Sequence, residues 1–136
     1  MPRKIDLIVL HHSASPQKTT TWEMIDKWHK ERGFSGFGYH YLILGDGLVM
    51  KGRAEDRVGA HLKGKNSNSI GICVAGNFEE EVPSPAQIVS IEPLILDLLE
   101  RYPNARLTWH RAEAPTLCPG KNLVPLIQAI KEKTGR

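Results

Sequence analysis

The segment IDLIVLHH at positions 5–12 constrains this chain more than any other. Ile5, Leu7 and Val9 are apolar on one parity, and Ile8 and Leu10 on the other. A strand with that pattern must be covered on both faces, so it belongs in the interior of a sheet with structure packed above and below. It ends in two consecutive histidines, which point to opposite faces, so only one of them can face a given cleft. A basic pair, Arg3 and Lys4, precedes the run. Because Asp6 interrupts it and histidines replace a small-residue cleavage site, the segment reads as a strand and not as an export signal.

The remaining elements follow from spacing and punctuation. Thr20 and Glu23 form a capping-box pattern ahead of Ile25 and Trp28, and Gly33 offers a stop, which predicts a first helix over Thr21–Arg32. Tyr39–Leu44, the turn Gly45-Asp46-Gly47 and Leu48–Lys51 read as a β-hairpin. Ser69–Val74 is a further short apolar strand. Ser84-Pro85-Ala86-Gln87 opens a second helix, in which Ile88, Ile91, Ile95, Leu98 and Leu99 recur with helical spacing. Pro93 falls inside that pattern and predicts a kink or a break. Leu107–His110 reads as a last strand, and Leu123, Leu126, Ile127 and Ile130 mark a closing helix with Pro125 in its first turn. Strands interleaved with helices, one connection being a hairpin, predict an α/β fold: a central mixed sheet flanked by about three helices.

A chain of 136 residues with 40% hydrophobic and 24% charged residues has the balance of one globular domain, here taken as 1–136. No apolar run approaches the ~18 residues that would span a bilayer, so no membrane association is expected. The net charge of +3 admits an anionic polymer as partner. The basic residues are scattered and form no nucleic-acid-reading motif, so no nucleic acid is expected.

Zinc in a hydrolase takes three protein ligands from His, Cys or carboxylate and leaves one position open. Here the candidates are His11 or His12 at the end of the first strand, His110 at the end of the last, and Cys118 eight residues beyond it. Strand ends and a following loop can converge on one point. Cys73 lies in an apolar strand, where a cysteine behaves as a small hydrophobe, whereas Cys118 sits in a Pro- and Gly-flanked loop. His29, beside Trp28, reads as a packed helix residue. The long segment between Gly52 and Asn68 is a loop of the kind that carries function.

The runs IVLHHSAS, FGYHYLILGDGLVMKGR, VGAHLKGKNSNSIGICVAGNF and WHRAEAPTLCPG, in that order, resemble the type 2 N-acetylmuramoyl-L-alanine amidases, a family that includes phage lysozymes and peptidoglycan recognition proteins. The likeness spans about residues 5–130 and implies a zinc site at the sheet edge in a surface groove. It implies His11, His110 and Cys118 as ligands of Zn²⁺, with Tyr39 and Thr116 as the catalytic polar pair. It also implies peptidoglycan as partner and cleavage between the lactyl group of N-acetylmuramic acid and L-alanine. His61, in the Val-Gly-Ala-His segment that the family places beside the cleft, is a candidate for substrate contact, and Asn66 and Arg53 are further candidates from the same loop region.

A phage or prophage endolysin, monomeric and cytoplasmic until released to the wall, fits these features. The alternatives are a non-catalytic peptidoglycan-binding module and a cytosolic muropeptide-recycling amidase. Recycling relatives carry a glutamate in the strand that here reads SIGICVAG, which has no carboxylate.

Overall fold

A computed structural model describes residues 3–136. Five strands, β1 (Leu7–His12), β2 (Tyr41–Ile43), β3 (Val49–Lys51), β4 (Ser69–Val74) and β5 (Arg106–Trp109), form one sheet in the order β3-β2-β4-β1-β5. β1 runs parallel to both of its neighbours, β4 and β5, and β2 runs parallel to β4. The β2–β3 hairpin is antiparallel, which makes the sheet mixed as its sequence predicts. All six residues of β1 are buried, as two apolar parities require.

Strand alternation separates two cores. Ile8 and Leu10 share a face with Ile70, Ile72, Val74 and Leu107. That face is closed by α2 (Pro85–Arg101), through Ile91, Ile95 and Leu98, and by α4 (Val124–Thr134), through Ile127 and Ile130. On the opposite face Leu7 and Val9 pack on Leu62 of the long loop, while Leu42 and Cys73 pack on Phe37 and on Ile25 of α1 (Trp22–Glu31). Each fully buried Ile or Leu contributes ~1.5–3 kcal/mol, so the face under α2 and α4, which holds most of them, dominates stability, and the face under α1 and the long loop carries the site.

Three local expectations change. Thr21, not Thr20, caps α1, its Oγ1 accepting the Met24 N–H at 3.2 Å. Thr20 is buried instead, its hydroxyl donating to the Pro16 carbonyl and meeting Ser15 Oγ, each at 2.6 Å. Its methyl and hydroxyl satisfy the interior better than a solvent-facing cap could. Helix α2 runs unbroken through Pro93. Proline deprives the carbonyl four residues back of its donor, and that residue, Val89, is 73% exposed, so water can take the donor's place. The last strand stops at Trp109, and His110 opens a one-turn helix, α3 (His110–Glu113), closed by Ala114 N–H on the His110 carbonyl. Three longer helices therefore flank the sheet and a fourth short one sits at the end of β5.

Candidate metal centre

His11 ends β1 on the face of Leu7 and Val9, and its neighbour across the parallel ladder is Cys73. His12 turns to the other face, where its Nδ1 accepts the Phe78 N–H at 3.1 Å. His110 follows β5, and the loop after α3 returns Cys118 toward β1, its Sγ 3.7 Å from His11 Nδ1 and within reach of the His12 N–H at 3.3 Å. The carboxyl ends of parallel strands are where open α/β sheets bind ligands, because the loops that leave them splay apart there. One ligand atom from each of His11, His110 and Cys118 lies within 4.8 Å of the others.

The donors suit a metal chemically. Burial and then the surrounding histidines hold the His11 imidazole well below its ordinary pKa, so it is neutral with a lone pair to give. His110 Nδ1 is buried without a hydrogen-bond partner, an omission that costs free energy unless something else occupies the nitrogen. Burial pushes the Cys118 thiol up to about 12, and a thiol held that high ionises when a cation is beside it. Two imidazoles and a thiol are a zinc donor set of the kind that leaves a fourth position open.

A groove crosses the trio. On one side a cleft of about 460 Å³ is walled by His11, His61, Lys63 and Asn66; on the other, one of about 680 Å³ is walled by His12, Asn77, Thr116 and Cys118. Arg32, Tyr39 and His110 border both. The Tyr39 ring lies 5.1 Å from that of His11, and burial raises its phenol well above the usual value, so it stays protonated. Thr116 Oγ1 accepts the Cys118 N–H at 3.2 Å, which leaves its own proton free to donate.

The other sequence-derived candidates spend their polar atoms on partners within the protein, although His61 and Asn66 also line the first cleft. His61 Nδ1 lies 2.9 Å from His11 Nε2, and its Nε2 lies 3.0 Å from Ser69 Oγ. Asn66 Oδ1 accepts the backbone N–H groups of His61 and Leu62, at 2.9 and 2.8 Å. Arg53 binds the carbonyls of Phe37 and Val58 and lines a separate cavity beside β2 and β3. His29 is buried, its Nδ1 accepting the Gly38 N–H.

Sequence reasoning passed over Ser69, Gly71 and Glu113. A glycine inside an apolar strand signals close approach of another group, and a Cβ at Gly71 would lie 2.7–2.8 Å from three atoms of the His61 ring. Glu113 ties α3 to β5 and to the long loop through Thr108, Arg106 and Lys65. Nothing in its local sequence marks it, since its partners come from three separate segments.

The fold and the site together define an α/β protein with a His-His-Cys centre at the carboxyl ends of parallel strands. Residues 1–121 match the N-acetylmuramoyl-L-alanine amidase family. The chain is 40% identical to the endolysin of Escherichia phage T7 over 124 residues, 87% of this chain and 82% of that one. It is 34% identical to peptidoglycan-recognition protein SC2 of Drosophila melanogaster, over 85% of this chain and 68% of that one. The solved structure of N-acetylmuramoyl-L-alanine amidase LysC from Clostridium intestinale superposes with a TM-score of 0.89 at 38% identity, covering 98% of this chain and 87% of that one. This chain belongs to the N-acetylmuramoyl-L-alanine amidase family.

Proposed function

We propose that this chain is a zinc-dependent amidase of the phage endolysin type, which hydrolyses the amide bond between the lactyl group of N-acetylmuramic acid and L-alanine in peptidoglycan. The observation that carries the reading is the convergence of His11, His110 and Cys118 at the floor of an open groove. The identity to endolysins over most of both chains supports it. A bound Zn²⁺ supplies Lewis-acid activation of the scissile carbonyl and of water.

The chain's own residues do the rest. Tyr39 and Thr116 donate hydrogen bonds where negative charge develops on the carbonyl oxygen, the step at which preorganised donors are worth most. Because its phenol is held protonated, Tyr39 serves as a hydrogen-bond donor, not as a base. The long groove suits an extended glycan–peptide substrate. Among the described residues no helix is long and apolar enough to cross a membrane, and an enzyme of this type acts on the wall after release.

The test is to load the protein with zinc and incubate it with purified cell wall. One equivalent of bound zinc, its loss in Cys118→Ala and release of free stem peptides are expected. Intact wall after prolonged incubation with zinc-loaded, folded protein would overturn the reading.

A further inference from the structure

His61 was expected to face substrate, yet both of its ring nitrogens are spent inside the protein. They form a chain of three side chains whose direction is set by the tautomers. His11 Nδ1 is the nitrogen that faces Cys118, at 3.7 Å, and His11 Nε2 faces His61 Nδ1, at 2.9 Å. Beyond it, His61 Nε2 faces Ser69 Oγ at 3.0 Å, and Ser69 is fully buried. A neutral imidazole carries one proton, and the nitrogen without it is the one that can bind a metal. If His11 donates from Nε2, its Nδ1 lone pair is fixed toward Cys118. His61 must then accept at Nδ1 and carry its own proton on Nε2, for which Ser69 Oγ is the acceptor. Each assignment forces the next.

The surroundings hold His61 in this role. Asn66 clamps its backbone N–H. Added Cβ atoms at Gly59 and at Gly71 would come within 2.9 Å of its ring, so the two glycines make the slot it lies in.

The geometry points to His61 as a positioning residue, with Ser69 behind it: its Nδ1 accepts a hydrogen bond from His11 Nε2–H, holds that proton on Nε2 and thereby reserves His11 Nδ1 for the metal. This rests on the zinc reading above. Outer hydrogen-bond partners of metal-ligating histidines typically contribute 10- to 100-fold in metal affinity, by fixing tautomer and ring orientation.

The experiment has two arms. In the first, ¹⁵N-labelled metal-free wild-type protein is examined by long-range ¹H–¹⁵N correlation, and then loaded with ¹¹³Cd²⁺. The His11 proton is expected on Nε2, with the cadmium coupling on Nδ1; a proton on Nδ1, or coupling through Nε2, overturns the proposal. In the second, zinc affinity is measured by chelator competition. His61→Phe, which cannot accept, is expected to weaken zinc binding at least tenfold, and His61→Asn, whose amide oxygen can replace Nδ1, to recover most of it. A folded His61→Phe variant that binds zinc like wild type overturns the proposal. Should His61→Phe fail to fold, the wild-type tautomer decides alone. Folded wild-type protein that binds no zinc counts against the proposed function, while the tautomer of His11 still reads out this inference separately.

Discussion

Gly71→Ala turns the packing around His61 into a measurable quantity. In an ordinary strand interior, replacing glycine with alanine stabilises by ~0.5–1 kcal/mol, because the unfolded chain loses freedom. Gly71 lies in β4, and its φ is not in the left-handed region, so the same gain applies here. Against it stands a Cβ placed 2.7 Å from His61 Cγ and 2.8 Å from both Cδ2 and Nδ1. Carbon contacts relax near ~3.5 Å, so the ring must lift off the sheet by somewhat under an ångström. Such overpacking costs ~1–3 kcal/mol, and pulling the ring out of plane weakens its bonds to His11 and Ser69 by a further ~0.5–1 kcal/mol.

The balance is a net loss of ~1–3 kcal/mol. For a domain of this size that is a fall in Tm of roughly 3–10 °C. Calorimetry on metal-free protein gives the stability term and chelator competition gives the zinc affinity, which should fall although every ligand and His61 itself is unchanged. A double-mutant cycle with His61→Ala isolates the cause. With the ring gone, the alanine at 71 has space, and the pair should be more stable than the sum of the single effects by ~1–2 kcal/mol. A Gly71→Ala protein as stable as wild type, or strict additivity in the cycle, would refute the reasoning.

Three further outcomes follow from particular contacts. Tyr39→Phe should keep its zinc and lose at least tenfold in kcat on muropeptide substrates, since the ring packs beside His11 and only the donor is removed; unchanged turnover would take Tyr39 out of the chemistry. Glu113 is held at about 2, chiefly by Lys65 and also by Arg106 and Thr108, so its contribution is complete above the unfolded value near 4.5 and disappears as pH falls from there toward 2. Glu113→Gln should therefore cost ~1–2 kcal/mol at pH 7, after allowing for solvent screening, and flatten the acid limb of urea midpoints across that window. Gln87 is fully buried, donating to the Ala75 carbonyl at 2.8 Å and accepting from Ser84 N–H and Gln17 Nε2. Gln87→Ala should cost ~2–4 kcal/mol in chemical denaturation, because it orphans groups at the start of α2 and at the end of β4 together.

The fold was legible wherever one signal had one physical solution. The double apolar parity of Ile5–Leu10 required an interior strand, and β1 is covered on both faces. The capping box at Ser84 and Gln87 set the start of α2 correctly because both partners are local. Thr20, with Glu23 three residues on, carried the local cap signal, and what overrode it in favour of Thr21 was the burial of Thr20 against Ser15 and Pro16, a tertiary effect. Of the kink or break that Pro93 allowed, the break did not occur, for a related reason: its cost depends on whether water reaches the Val89 carbonyl, and that depends on which side of α2 faces the sheet.

The site divides along the same line. That His11, His110 and Cys118 come together was legible because strand ends and a loop cysteine are features of local sequence, and the resemblance tied them together. The residues that fix those side chains were not. Ser69, Gly71 and Asn66 act on His61 from β4 and from the loop before it, and His61 acts on His11 from fifty residues away. Long-range partners leave no period and no cap in the sequence. A donor set can be written as a short pattern, but the slot that two glycines cut for His61 and the hydrogen bond between His61 and His11 cannot. On the proposed zinc reading, the residues beneath the long loop therefore matter as much as the three groups that converge at the groove. Substitutions at Gly59, Asn66 or Gly71 should behave as defects of the metal centre, though none of these residues can bind a metal through a histidine, cysteine or carboxylate.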